Sequence, residues 1–148
     1  MIRRFWALFA LATTAALLIG LVGAGAAVAH KGKGTQGCTP GYWKQTQHFD
    51  SWPSAYSPGD DFDTVFGVDL FSPDRTLLQA LKAGGGGADA LGRHAVAALL
   101  NASPDVPVDY WFGVNGVIAT VQAAVSSGDY EGAKDIFAYY NEKGCPLN

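Results

Sequence analysis

The chain is 148 residues long, 49% hydrophobic and 16% charged, and its ten Lys and Arg against thirteen Asp and Glu give a net charge of −3. That length fits one small domain, and the acidic balance leaves no electrostatic footprint for nucleic acid or for an anionic membrane surface. Two cysteines without a Cys-x-x-Cys spacing supply no zinc-ribbon, c-haem or thioredoxin-like motif.

Residues 1–29 read as a secretory signal peptide. Met1-Ile2-Arg3-Arg4 is a basic start, Phe5 to Val22 is apolar, and Ala27-Val28-Ala29 is a small-residue exit that places cleavage before His30. An uncleaved anchor is the alternative, because the apolar stretch approaches the length of a spanning helix. Arg3-Arg4 leaves the export route open between a general and a twin-arginine pathway. Cys38 and Cys145 then stand one near each end of an exported chain, where an even pair reads as a disulfide. Such a bond closes a loop of roughly 100 residues, for which chain entropy gives about 4 to 5 kcal/mol.

Residues 30–37, polar and rich in glycine, read as a flexible leader ahead of a single helical domain over 38–148. Thr39 is placed to cap a short helix with Pro40 as its first residue, and the helix should stop before Pro53. Ser54 to Phe71 shows no helical period and reads as a long loop packed by its aromatic residues. Ser72-Pro73-Asp74 repeats the start signal, with Asp74, Leu77, Leu78 and Leu81 on one face, and Gly84 to Gly87 ends that helix.

From Ala88 to Ala102 the sequence is apolar on two sides, the pattern of a central helix. Pro104 and Pro107 lead into a connector carrying Tyr110-Trp111-Phe112. Val114, Val117, Ile118, Val121 and Val125 then fall at helical spacing, although their β-branched content makes a strand the rival reading. Asp129 caps a last helix with Tyr130, Ala133, Phe137 and Tyr140 on one face, ended by Gly144. The expectation is an all-α fold: a small bundle of four or five helices with a long aromatic and acidic loop, its ends tied by Cys38 and Cys145.

The run Gly37-Cys38-Thr39-Pro40-Gly41-Tyr42-Trp43-Lys44, the following Trp52-Pro53, the Leu77-Leu78-Gln79-Ala80-Leu81 segment before a glycine run, and Arg93-His94-Ala95-Val96-Ala97-Ala98-Leu99-Leu100-Asn101-Ala102 together resemble an uncharacterised group of bacterial secreted and cell-surface domains. In that group the unit often recurs as a module inside larger surface proteins. The resemblance implies location and modular use rather than an enzymatic activity.

Four features are candidates for a site. Trp43, Trp52, Tyr56 and Trp111 form a sugar-stacking platform if exposed, and core mass for alanine-rich helices if buried. The second reading is preferred. Asp60, Asp61, Asp63 and Asp69 are a weak calcium candidate, since their spacing misses the alternate ligands, turn glycine and late glutamate of an EF-hand. A solvated acidic loop is the plainer account, and a glycosidase pair would need two of these carboxylates on opposite sides of a cleft. His48 and His94 lack a third zinc ligand; His94 reads as a partly buried, hydrogen-bonded residue, and Arg93 equally as a partner for the aspartate loop or as a solvated charge. Asn101-Ala102-Ser103 matches a glycosylation acceptor.

The sequence thus reads as an exported, non-catalytic structural or interaction domain with no cofactor and no stable membrane insertion after signal cleavage, meeting an extracellular protein or glycan. The alternative is a secreted carbohydrate-binding module, or a glycan hydrolase using Asp60 to Asp69 with His48 or His94.

Overall fold

In the computed structural model the described residues are 30–148, so the expected signal segment lies outside them. The described chain is mostly helical and contains no strand, and a single disulfide joins Cys38 to Cys145 with their Cα atoms 4.4 Å apart.

The helices outnumber the four or five expected. They are α1 (Pro40–Trp43), a 3-10 helix (Thr46–Ser51), α2 (Phe62–Phe66), α3 (Leu77–Lys82), α4 (Gly87–Ala102), α5 (Val114–Ser127) and α6 (Tyr130–Asn141). Two local events account for the difference. Thr39 does cap α1, but Gln45 is extended and divides the segment, so that a 3-10 helix carries the chain to Ser51. Inside the long loop, the Asp61 side chain accepts from the Thr64 amide, and Gly67 at φ +65° closes a five-residue helix. A helix that short is set by its caps and leaves no period to read. The start of α3 also moves, because Thr76 and Gln79 form a reciprocal capping box and Asp74 stays outside the helix.

Helix α4 is the centre of the fold and packs against α1, α3, α5 and α6. Eleven of its sixteen residues are buried, which its two apolar sides require. Alanine supplies little volume, so rings from the short helices, α6 and the connector fill the space: Trp43, Phe62, Phe66, Phe137 and Tyr110 are all fully buried. The Phe71 ring reaches α4 through Gly92, where a Cβ would lie 2.6 Å from Phe71 Cζ. The Val114 to Val125 stripe is a helix, as its 3.6 spacing indicates.

Residues 30–37 differ most from their expected role. They form a strap laid along the domain, with His30 bridged to Phe112 and Gly37 to Gly144. The Lys31 amide donates to Trp111 O at 3.1 Å and the Gln36 amide to Asp109 O at 3.1 Å. Asp109 is the hub: its carboxylate accepts from the Lys33 amide at 2.9 Å and from the Thr35 hydroxyl, and its amide donates to Gln36 Oε1 at 2.9 Å. Among the described residues the packed structure therefore includes 30–37 as well as 38–148. Polar composition suggested a solvated leader, whereas those polar groups satisfy the backbone of the 109–111 connector.

Candidate functional site

The aromatic candidates do not assemble into one exposed face. Trp43 is fully buried and its indole N–H donates to Asn101 Oδ1 at 3.3 Å, while buried Trp52 donates to Trp43 O at 3.2 Å. Tyr56 is half-buried and packs on the core edge. Trp111 lies parallel to Tyr140 at 5.7 Å between ring centroids, with His30 edge-on at 4.2 Å. Its rings are thus packed by neighbours from the strap and α6.

The meeting point of the two runs singled out in the sequence is a buried amide network. Asn101 and Asn141 are both fully buried. Asn101 Oδ1 accepts from the Cys38 amide at 3.0 Å, and Asn101 Nδ2 donates to Cys38 O at 2.8 Å and to Asn141 Oδ1 at 3.0 Å. Tyr110 donates to the same Asn141 oxygen at 2.8 Å, and Asn141 Nδ2 donates to His94 O at 3.0 Å. Burial drives the Tyr110 hydroxyl pKa well above its ordinary value, which keeps it a neutral donor. One amide pair thereby joins the disulfide, α1, α4, the connector and α6. It also removes Asn101 from any role as a glycosylation acceptor in the folded chain, because its Nδ2 is enclosed and already donates twice.

The aspartates serve their own loop. Asp60 accepts from the Ser57 amide and hydroxyl, both at 2.7 Å, and Asp63 accepts from the Leu70 and Phe71 amides at 3.0 and 3.2 Å. The Thr64 amide that Asp61 caps holds the Asp61 carboxyl below its ordinary pKa. Asp69 is exposed. No group of three or more His, Cys, Asp or Glu among the described residues is arranged to hold a metal ion. Arg93 does not pair with this loop: its guanidinium donates to Ala83 O at 2.7 Å and Gly85 O at 3.3 Å, closing the end of α3. The acidic partner that the glycine run brings to hand goes instead to Arg75, which pairs with Asp89 at 2.5 Å.

His94 is half-buried on α4, and its Nδ1 has no hydrogen-bond partner among the described residues, contrary to the expected hydrogen-bonded imidazole. Burial chiefly, and then Arg93, lower its pKa. His48 lies elsewhere, stacked on Tyr42 at 4.0 Å and 19°. That stack borders an open groove of about 680 Å³ at the disulfide end, lined also by Thr39, Lys44, Gln45 and Glu142. None of the four aspartates lines it.

A second groove, of about 550 Å³, runs between α5 and α6. Gly116, Ala119, Ala123, Gly132 and Ala133 line it, and Ile136, 45% exposed, rises at its edge. Its polar side chains mostly turn back on the chain: Thr120 donates to Gly116 O at 2.8 Å, Ser127 to Ala123 O at 2.9 Å, and Asp129 accepts from the Gly132 amide at 3.0 Å. Helix α5 carries no charged residue. No protein-family model, curated protein or solved structure matches the chain.

The residues that sequence reasoning missed are Asn141, Tyr110, Lys31 and Asp109. Their only local signal is polarity, and each finds its role through a partner far along the chain.

Proposed function

We propose that the chain is an exported, non-catalytic interaction domain of the cell surface or the extracellular space, and that its working face is the α5–α6 groove. One observation carries the reading: the candidate aromatic and acidic side chains are mostly committed to the fold, whereas the groove exposes mainly apolar surface whose hydroxyls already have partners. Rings would stack on a sugar; this lining has no aromatic residue. Small residues let another backbone approach closely, which suits an apolar helical segment of an extracellular protein. A disulfide, and the absence of a helix among the described residues long and apolar enough to cross a membrane, are compatible with export.

The groove at the disulfide end supports the second reading, a carbohydrate-binding module, because the Tyr42–His48 stack stands there beside Lys44, Gln45 and Glu142. Retention of the exported protein on the producing cells separates the two. Ala119 and Ala123 are exposed, so Ala119→Glu with Ala123→Glu should leave melting unchanged and lower retention about tenfold, the cost of placing charge in a dry contact. His48→Ala should leave retention as it was. The reverse pattern, with binding to cell-wall polysaccharide lost in His48→Ala, would establish the glycan reading instead.

A further inference from the structure

A helix ends in carbonyl groups without partners inside it, and these carry the negative end of the aligned peptide dipoles. At the end of α4, Asn101 O and, just beyond it, Ser103 O and Val106 O converge on one point. The Lys31 ammonium occupies that point and donates to the three oxygens at 2.8, 2.7 and 2.7 Å. Asp105 and Asp109 add negative field from nearby.

The strap does not build this cage. Asn101, Ala102, Ser103 and Val106 are all buried, the Ser103 hydroxyl donates to Leu99 O at 3.0 Å, and the Val106 amide donates to Ser103 O at 3.2 Å. The oxygens are main-chain atoms of a packed segment and stay in place when the lysine side chain is removed. Carbonyl oxygens can replace the hydration shell of a monovalent cation. Their distance from the central nitrogen exceeds the about 2.0 to 2.1 Å that magnesium requires and the about 2.3 to 2.6 Å of calcium. Ammonium and potassium are the class of ion that fits.

We propose that the carbonyl cage at the end of α4 is a monovalent cation site of ammonium or potassium class, which the protein fills with its own Lys31. The strap over residues 30–37 is thereby latched by a tethered ligand, and withdrawing that ligand opens the cage to free ions of the same class. A tethered ammonium outcompetes dissolved ions through its effective concentration, so the intact protein is indifferent to salt identity.

Lys31→Met keeps the stem and removes the ammonium. Its melting temperature is measured beside the unaltered protein in ammonium, potassium, lithium and choline chlorides at one ionic strength. The variant should melt lower than the unaltered protein in choline and lithium, and ammonium or potassium should restore at least half of the loss along a saturable curve. The unaltered protein should melt alike in all four salts. A variant that melts like the unaltered protein, or that answers all four salts equally or none, overturns the proposal. Should Lys31→Met fail to fold in choline, its refolding from denaturant is compared in potassium and choline: recovery in potassium alone supports the site, and failure in both overturns it.

Discussion

Gly32, Gly34 and Gly37 in the strap are hemmed in, whereas the run from Gly84 to Gly87 is largely open. A Cβ at Gly32 would lie 2.1 Å from Asp109 Oδ1, at Gly34 2.8 Å from Trp111 Cβ, and at Gly37 2.0 Å from Tyr140 O. At Gly84, Gly86 and Gly87 it would meet nothing within 4 Å. Gly37 lets two backbones touch, and Gly32 and Gly34 make room for the side chains of Asp109, Trp111 and Tyr140; the second set spaces α3 from α4. What steadies the second run comes from outside it, since Arg93 holds Ala83 O and Gly85 O while Glu131 accepts from the Gly87 amide at 3.3 Å. Glycine content alone therefore says little about order, and the atoms around the missing Cβ decide it.

Gly37→Ala tests the contrast hardest. The clashing atoms are Tyr140 O, Tyr140 C and Asn141 Cα, all main chain in α6, so the neighbour cannot rotate away. Relief requires the strap to lift beside the disulfide and to lose its bridge to Gly144. A loss of about 3 kcal/mol is expected, at the upper end of overpacking costs, read as a fall in the denaturant midpoint at unchanged slope. A midpoint equal to that of the unaltered protein would mean that the strap is not held as described.

The same contrast shows where sequence reading succeeds. Thr39 with Pro40, Asp129 ahead of α6, and the two apolar sides of α4 act within a few residues, and each was legible. The disulfide was legible from cysteine count and expected compartment. The strap was not, because its polar groups find Asp109 more than seventy residues away. Asn101 fails for the same reason: a three-residue pattern suggests a surface acceptor, and only Cys38 and Asn141, both distant in sequence, show that the amide is internal. Helix α2 escaped because caps rather than periodicity define it.

A smaller effect, set by pH, sharpens the account of how the second run is tied to the core. His94 follows Arg93, and its carbonyl receives the Asn141 amide, so it stands between the glycine run and the buried network. Burial and then Arg93 hold its pKa below the ordinary 6.5, against weaker opposing pulls from Glu142 and Asp135, with Lys134 acting in the same direction as Arg93. As pH falls below 6.5 the unfolded chain takes up a proton that the native imidazole resists, so this share of stability is full above 6.5 and declines through the window beneath it. The side chain is only half-buried, and screening keeps the change small. His94→Gln should flatten the stability profile between neutrality and the onset of carboxylate protonation. An unaltered slope would place the pH response elsewhere.

Gly84→Ala is the gentlest probe and the one whose sign matters most. No atom lies within 4 Å of the added methyl, and Gly84 is not among the glycines at positive φ, unlike Gly85 at +93° and Gly87 at +58°. An alanine is thus compatible with the native backbone and acts on the unfolded chain, whose freedom it reduces. The expected result is a gain of about 0.4 kcal/mol, resolved by repeated denaturant melts beside Gly37→Ala. A loss would show that the spacer between α3 and α4 needs a conformation at Gly84 that only glycine adopts. The two runs would then differ in what surrounds them but share the same demand on the backbone.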